Sequence, residues 1–404
     1  MITIDTQPLL LYSADYMIIL SIETSCDETA ISIIEAMGDF PNATYEVIGN
    51  ALFSQIDSHR EFGGVFPAVA KREHIATIVP MLEMALREAK ITAGFTPTLS
   101  EEELARVHEL LNREHGLADQ VISFYQSFGR PPIDAIAVTS GPGLEPALWV
   151  GINFAKALAY LTNAPVVPVN HMEGHILASI FDGHHLAKLS FPAVALLVSG
   201  GHTELILMNE WGHYEKVGQT RDDAVGEAFD KVARMLGLPY PGGPEIGRLA
   251  NIAREANLPP FAKLPLPMRH SKDLDFSFSG LKTAVLYAIN GQVLTLEQKQ
   301  ALARDFEDAA VTVLTEKLKT AILKYSIQSV ILGGGVAANK RLRHAFDSLS
   351  SPQLFPAIKT YLPELSLSTD NSIMIGLAGH AHLDASLTPE VFAETIKADG
   401  NRSL

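Results

Sequence analysis

The sequence has little cysteine, fewer basic than acidic residues, and no long apolar run. Cys26 is the single cysteine among 404 residues, which excludes a disulfide framework and is typical of a reducing compartment. No run is long and apolar enough to span a membrane, and residues 1–16 contain no Lys or Arg, unlike a typical secretory signal. These features predict a cytoplasmic protein, and we interpret residues 1–16 as an extension before the first strand.

The charge balance also limits the kind of ligand that the chain can bind. It has 31 Lys and Arg against 46 Asp and Glu, a formal net charge of -15. Phosphate contacts need Lys and Arg, so a general polyanion binder is excluded, and any contact with nucleic acid needs a local basic patch or a basic partner. The length and the 47% hydrophobic content predict a substantial core and two domains.

A strand, a polar turn and a second strand open each half of the chain. In the first half, the apolar strand 17–23 leads into the turn 24–29, and in the second half the strand 191–198 leads into the turn 199–203. Such a repeat indicates two lobes of similar build. Backbone N–H groups and hydroxyls at these tips can hold phosphates, although a polar hairpin is the alternative interpretation.

Glycine-rich turns follow two further predicted strands. Gly141 and Gly143 lie between a strand and a helix, a weak signal because many such turns are purely structural. The triple glycine 333–335 lies between the strand 329–332 and a helix that begins near 336. The amino end of that helix points N–H donors at whatever lies over the glycines, which is typical of a nucleotide site.

Two histidines and a distant carboxylate are the candidates for metal binding. His171 and His175 are spaced i, i+4 at the start of a predicted helix, so their imidazoles share one face and can share a metal ion. A pair of ordinary histidines at a helix start is the alternative. Asp370 precedes the apolar helix 373–382, where it is either the helix N-cap or a third ligand. Two histidines with one carboxylate are compatible with iron or zinc.

Taken together, the motifs closely resemble those of the TsaD family, the tRNA threonylcarbamoyladenosine transferases formerly described as O-sialoglycoprotein endopeptidases. They occur in the family's order from about residue 17 to about residue 382. The matching segments are 22–29, 170–175, 197–203, 223–231, 240–244, 275–283, 333–339 and 368–371.

This resemblance implies an α/β protein with the actin-like ATPase fold, in which two ribonuclease-H-like lobes enclose a central cleft. We expect a first lobe at 17–166, with a helical insertion at about 91–132 that has no counterpart in the family. A C-terminal helix at 373–396 is expected to complete this lobe, and the second lobe is expected at 167–372.

The resemblance also assigns residues to the site. It implies that His171, His175 and Asp370 bind one divalent metal ion per subunit, usually iron with zinc as the alternative. Asp27 and Glu28, at the tip of the first lobe, are our candidates for assisting proton removal. Gly247 and Ala68 depart from the family pattern, because many members carry an Asp and a Glu there. The residues implied to contact the adenylate are Leu197, Val198, Ser199, Gly200, Gly201, Asp230, Gly243 and Asn339.

The implied reaction passes the threonylcarbamoyl group from L-threonylcarbamoyl-adenylate to N6 of the adenosine on the 3′ side of the anticodon. The substrates are tRNAs that read codons beginning with adenine, and AMP is released. A different enzyme makes the adenylate. The implied partners are tRNA and, in a bacterium, a paralogous actin-like subunit and a small ATPase, with local groups such as Lys340, Arg341 and Arg343 as candidate tRNA contacts.

Three alternatives remain at this point. A metallopeptidase helix has the pattern His-Glu-x-x-His, whereas Met172 follows His171 here, and the glycine turns would have no purpose in a peptidase. A sugar kinase or another ATPase of the same fold would explain the phosphate turns but not the paired histidines. A binding-only subunit would have lost metal ligands that this chain keeps.

Overall fold

The computed structural model describes residues 16–92 and 98–404, so nearly all of the predicted extension 1–16 lies outside the described residues. Within these ranges, ten strands form two five-stranded sheets. The strands of the first sheet are β1 (Met17–Glu23), β2 (Glu28–Met37), β3 (Thr44–Ser54), β4 (Ala135–Gly141) and β5 (Val166–Asn170). The strands of the second sheet are β6 (Ala193–Val198), β7 (Thr203–Glu210), β8 (His213–Gln219), β9 (Ser329–Gly333) and β10 (Lys359–Tyr361).

The two sheets have the same topology. Their strand orders are β3-β2-β1-β4-β5 and β10-β9-β6-β7-β8. In each sheet the first three strands pair antiparallel, the fourth strand runs parallel to the first, and the fifth runs parallel to the fourth. This repeated order is the ribonuclease-H-like arrangement, so the prediction of two such lobes in an α/β fold is confirmed.

Helices cover both sheets, and their bounds follow in chain order. The α-helices are α1 (Ile56–Arg60), α2 (Pro67–Glu88), α3 (Glu101–Leu110), α4 (Leu117–Phe128), α5 (Glu145–Thr162), α6 (His171–Ile180), α7 (Val225–Met235), α8 (Gly242–Glu255), α9 (Ser279–Ile289), α10 (Leu296–Tyr325), α11 (Lys340–Asp347), α12 (Ser372–Ala381) and α13 (Pro389–Thr395). Within residues 16–92 and 98–404, no helix has the length and apolarity that crossing a bilayer requires.

Helices α6 and α12 lie between the two sheets. Every residue of α6 is buried, and Ile176 of α6 and Met374 of α12 share one apolar cluster with Ile34 of the first sheet and Leu197 of the second. Apart from its two histidines, the polar side chains of this helix are paired inside the protein: Glu173 with Tyr214 and His382, and Ser179 with the carbonyl of His175. The helix that carries His171 is therefore fixed by packing on both halves of the molecule.

Two of the expected boundaries differ from the structure. Strand β5 pairs with β4, so the first sheet reaches Asn170, beyond the boundary expected at 166. The single helix expected at 373–396 is two helices, α12 and α13. The hydroxyl of Thr388 caps α13 and Pro389 opens it, because proline suits the first turn of a helix but not its interior. The remaining domain limits stay a prediction.

Helices α3 and α4 occupy the expected insertion. Their apolar residues Val107, Val121 and Phe124 are buried in the cluster that also contains Phe154 of α5. The insertion therefore extends the core of the first lobe.

Candidate active site

The predicted metal ligands come together at the amino end of α6. The side-chain oxygen of Asn170 accepts a hydrogen bond from the N–H of Met172 at 2.9 Å, which caps the helix and starts it at His171. One turn later comes His175, and the two imidazole centroids are 4.7 Å apart. The nearest oxygen of Asp370 lies 3.4 Å from Nε2 of His171 and 3.2 Å from Nε2 of His175. Ligand atoms of all three residues lie within 4.8 Å of one another, so they could hold a metal ion. We call His171, His175 and Asp370 the metal group.

Asp370 is not the cap of α12. That role belongs to Asn371, whose side-chain oxygen accepts a hydrogen bond from the N–H of Met374 at 3.0 Å. The carboxylate of Asp370 is consequently free to face the histidines. The sequence left Asp370 as either a helix N-cap or a metal ligand, and the structure favours the role of metal ligand.

The state of His175 supports the fit of a metal. Its side chain is 1% exposed, and Nε2 has no partner at hydrogen-bonding geometry although Asp370 is close. A buried polar atom without a hydrogen bond is costly in a folded protein. Two imidazole nitrogens and one carboxylate oxygen form a donor set that suits iron or zinc once the imidazoles have given up any extra proton.

Glu23, at the end of β1, holds His171 from behind, and the sequence analysis missed it. Its Oε2 lies 3.1 Å from Nδ1 of His171 and accepts a 2.6 Å hydrogen bond from the hydroxyl of Thr139, while Oε1 accepts from the N–H of Ser25. A carboxylate on one imidazole nitrogen directs the other nitrogen at the metal. The sequence did contain a signal for Glu23, because it is a charged residue at the end of a buried strand, next to the polar turn.

The charges in this group stabilise one another. Burial would raise the pKa of Asp370, but His171 and His175 lower it far below the usual range of a carboxyl. Burial would lower the pKa of His171, but Asp370 and Glu23 raise it well above the ordinary value. The pKa of His175 is lowered by its burial. Asp370 therefore stays ionised, as a metal ligand must.

Asp27 and Glu28 lie in the same cleft as His171 and Asp370. Burial raises the pKa of Asp27. It also raises the pKa of Glu28 well above the usual value, and the charges of Asp27 and Asp370 raise it further. Carboxyls with raised pKa values are suited to accepting a proton near neutral pH.

The cleft between the lobes has a volume of about 1760 Å³. Its second-lobe wall contains the loop of Ser199, Gly200 and Gly201, and Asp230, Gly243 and Asn339 lie further along. These six predicted residues therefore share one cavity with the metal group. Leu197 and Val198 do not line it, because both side chains are fully buried in β6 and only their backbone reaches the loop.

Two glycines shape this wall. Gly226 approaches so closely that a Cβ there would lie 2.6 Å from the carbonyl oxygen of Ser199. Gly334 has a φ of +88°, and a Cβ there would lie 2.4 Å from the carbonyl oxygen of Val198. Both positions need glycine, which lets the turns approach a ligand with their backbone.

Asn339 and Asp230 are held by their neighbours. The Asn339 side chain caps α11 by accepting from the N–H of Leu342 at 2.9 Å and donates to Glu307 at 2.7 Å. A carboxylate oxygen of Asp230 accepts from the N–H of Gly242 at 2.7 Å, and burial raises the pKa of Asp230.

The two departures from the family pattern lie in different places. Gly247 lines the cleft, and a Cβ at this position would meet Glu307 at 3.4 Å and Asn339 at 3.7 Å. Its glycine therefore leaves room beside Asn339. Ala68 is exposed at the start of α2 and is not among the residues that line the cleft.

The three candidate basic residues differ in whether they line the cleft. Lys340 and Arg341 line the cleft, and Arg341 forms a 2.7 Å ion pair with Asp308. Arg343 instead donates to the backbone carbonyls of Ala337 and Pro363 at 3.2 and 2.8 Å, so it stabilises the loops on either side. Of the three, Lys340 and Arg341 remain available to a ligand in the cleft.

Two ribonuclease-H-like lobes, with a cleft that joins glycine turns to a His-His-Asp group, define a two-lobed enzyme of the actin-like ATPase class. The comparisons with known proteins identify the family. The model of TsaD, tRNA N6-adenosine threonylcarbamoyltransferase, matches residues 46–94 and 126–377. The chain belongs to this family, and the match leaves out 95–125, which contain α3 and most of α4.

Individual relatives agree with this assignment. The chain is 41% identical over 370 residues to the tRNA N6-adenosine threonylcarbamoyltransferase of Paraburkholderia xenovorans (strain LB400), covering 91% of this chain and 92% of the relative. It is 42% identical over 364 residues to that of Bacillus thuringiensis (strain Al Hakam), covering 90% of each. These relatives support an acyltransferase and favour neither the peptidase nor the kinase.

Solved structures with some likeness are more distant. Full-length HypF in a phosphate- and nucleotide-bound form is 13% identical, with a TM-score of 0.48, and the match covers 97% of this chain and 48% of HypF. The ROK hexokinase from Thermus thermophilus is 14% identical, with a TM-score of 0.42, and the match covers 91% of this chain and all of the hexokinase.

Proposed function

We propose that this protein transfers the threonylcarbamoyl group of L-threonylcarbamoyl-adenylate to N6 of the adenosine on the 3′ side of the anticodon, in tRNAs that read codons beginning with adenine. The observation that carries the proposal is one cleft that joins the metal group to the glycine turns. It comes in a chain that belongs to the threonylcarbamoyltransferase family.

The reaction needs positioning more than strong acid or base chemistry. N6 attacks the carbamoyl carbonyl, the bond from that carbon to the phosphate oxygen breaks, and AMP leaves with the electron pair. AMP is a good leaving group from a mixed anhydride, whereas N6 is a weak nucleophile, so orientation lowers the barrier most. The backbone of Ser199, Gly200 and Gly201, together with Asp230, Gly243 and Asn339, would hold the AMP part.

His171, His175 and Asp370 would hold one divalent ion, with iron as the first candidate and zinc as the second. When bound, such an ion polarises a carbonyl or phosphoryl oxygen as a Lewis acid. One of the two groups, Asp27 or Glu28, would accept the proton that N6 loses as an ionised carboxylate, since burial raises the pKa of each.

The RNA must be attracted locally, because the chain as a whole is acidic. Lys340 and Arg341 line the cleft and are the proposed contacts to phosphate. The family resemblance adds a paralogous actin-like subunit and a small ATPase as proposed partners, and the cytoplasm as the proposed location.

The test is transfer from preformed adenylate to unmodified tRNA, followed by nucleoside analysis, with the protein stripped of metal and then reloaded with iron or zinc. His171→Ala and His175→Ala are expected to lose bound metal and transfer together. His213→Ala is the matched control, because the His213 side chain is 74% exposed and pairs with Glu210, away from the cleft residues.

Two outcomes would contradict the proposal. Full metal content and full transfer in both cleft variants would remove the metal group from the mechanism. Absence of modified adenosine with either metal and with accessory subunits present would refute the reaction itself, and peptide cleavage or ATP turnover would then identify the alternative.

A further inference from the structure

Three fully buried polar side chains form a connected group beside the acidic turn that carries Asp27. Gln55 follows β3, His59 lies in α1 and His74 lies in α2, and each is 0% exposed. None of them lines the cleft or belongs to the metal group. Burying a polar group costs stability unless it is hydrogen-bonded, so the hydrogen bonds of these three side chains indicate their role.

The partners of His59 determine which of its nitrogens carries a proton. The N–H of Phe66 lies 3.3 Å from Nδ1, so Nδ1 must be the acceptor. Nε2 then carries the hydrogen and donates it to Oε1 of Gln55 at 3.2 Å. With its oxygen used in this way, the amide of Gln55 presents its nitrogen on the other side.

The partners of His74 determine its tautomer as well. Its Nε2 lies 3.1 Å from the carbonyl oxygen of Cys26, which can only accept, so Nε2 carries the hydrogen. Nδ1 is therefore the acceptor, and its single lone pair is shared by the hydroxyl of Thr29 at 2.8 Å and the amide N–H of Gln55 at 3.2 Å. The hydrogen bonds run in one direction from Phe66 through both imidazoles to Cys26.

Both imidazoles are neutral in this arrangement. Burial lowers the pKa of His59, and it lowers the pKa of His74 to about 4. The acidic groups that face them are Asp27 and Glu73 at His59, and Glu23 at His74. Protonation of His59 would place an N–H against the N–H of Phe66 and break the chain of bonds.

The two ends of the chain of bonds have different surroundings. At one end, His74 binds the carbonyl of Cys26, and the backbone N–H of Gln55 donates to the carbonyl of Asp27 at 2.9 Å. Two successive peptide groups of the acidic turn are thus held by this group.

At the other end, Phe66 closes the rim loop of residues 63–66. Gly63, Gly64 and Val65 of this loop line the cleft, and the carbonyl of Gly63 accepts a hydrogen bond from Arg234 of α7 in the second lobe. The group therefore connects a contact between the lobes with the turn that carries Asp27.

We propose that His59, Gln55 and His74 are positioning residues for the transfer reaction. They hold the acidic turn of Asp27 and Glu28 in place relative to the rim loop, so that the contact of Arg234 with the rim loop and the placement of the carboxylates are coupled. This inference rests on the proposed function, in which those carboxylates accept the N6 proton.

The first test reads the tautomers and needs no substrate. Long-range ¹H–¹⁵N correlation spectra of the full-length protein with ¹⁵N-labelled histidine would be recorded between pH 6 and 8, with His59→Asn and His74→Gln used to assign the signals. Both imidazoles are expected as neutral Nε2–H tautomers throughout. A proton on Nδ1 of either histidine, or titration of either in this range, would overturn the proposal.

The second test separates positioning from general stability. His74→Gln keeps a donor for the Cys26 carbonyl and is expected to stay within about threefold of wild-type kcat, whereas His74→Leu and Gln55→Leu lose it by about 100-fold, the scale of a small misplacement of catalytic groups. KM for the adenylate should change little, because the AMP contacts lie in the other lobe.

The matched control is His380→Leu, which removes a buried imidazole whose hydroxyl partner is Tyr45 at 2.9 Å, outside the group. It is expected to keep wild-type kcat. Wild-type kcat in folded His74→Leu and Gln55→Leu, or an equal loss in His380→Leu, would overturn the proposal. If the leucine variants do not fold, the tautomer spectra of the wild-type protein remain as the test of the proposal. An inactive wild type would refute the proposed reaction, a result that the tautomer spectra do not depend on.

Discussion

Replacing Glu23 with Gln should weaken metal binding without removing any ligand. The carboxylate faces three donors, namely Nδ1–H of His171, the hydroxyl of Thr139 and the N–H of Ser25. Glutamine keeps the shape but has one oxygen and one NH₂ group. In either orientation its NH₂ faces a donor, against Ser25 in one case and against His171 in the other.

The size of the effect follows from the role of this contact. Loss of the carboxylate behind a metal-bound histidine typically costs about 10–100-fold in metal affinity. That range corresponds to about 1.4–2.8 kcal/mol of binding free energy. We expect the lower value if glutamine keeps its oxygen on His171, and the higher value if Nδ1 of His171 loses its acceptor.

The assay is competition for the metal between the full-length protein and a chelator of known affinity, read as metal content after equilibration. Glu114→Gln is the matched control, because Glu114 is also a fully buried carboxylate but pairs with Asn153 beside the insertion. Metal affinity in Glu23→Gln equal to that of the wild type, or an equal loss in Glu114→Gln, would refute the reasoning.

Two further predictions concern stability. Gly334→Ala should destabilise the fold by at least about 1–3 kcal/mol, because it forces a side chain into a left-handed conformation and places its Cβ 2.4 Å from the carbonyl oxygen of Val198. Denaturant unfolding measures this, and Gly335→Ala, where a Cβ meets nothing within 4 Å, should cost clearly less. The hydrogen bond to Glu173 raises the pKa of His382 above its unfolded value, so the stability it contributes is complete below about pH 6.5 and is lost as pH rises through the folded pKa. The gap in unfolding free energy between wild type and His382→Gln should therefore be larger at pH 6 than at pH 8, and a constant gap would contradict this.

Local patterns were sufficient for the parts of the fold that repeat. The strand, polar turn and strand at 17–34 and 191–208 predicted two like lobes, because buried strands leave a strong apolar signal. The apolar pattern correctly indicated a helix at 373–382, which is α12, but the longer helix expected at 373–396 was wrong, because Pro389 begins a separate helix.

Contacts across the chain could not be read in the same way. The spacing of His171 and His175 was local, whereas the sequence left Asp370 as either an N-cap or a third ligand, because nothing local shows which group a distant carboxylate faces. Glu23 was missed because it meets His171 across 148 positions of sequence. Leu197 and Val198 were placed in the site by their motif, but β6 is covered on both faces, so the two side chains are buried in different apolar clusters and the following loop faces the cleft.

The metal group itself lies at the junction of the lobes. Helix α6, which carries both histidines, packs on β9 and β6 of the second sheet, while α12, which follows Asp370, packs on β1, β2 and β4 of the first. Glu173 of α6 extends this link, because it accepts from Tyr214 of β8 at 2.7 Å and pairs with His382 after α12 at 2.8 Å. A metal held by His171, His175 and Asp370 would therefore connect elements of both lobes. An ion held there would then also help to fix the relative position of the glycine turns and the acidic turn.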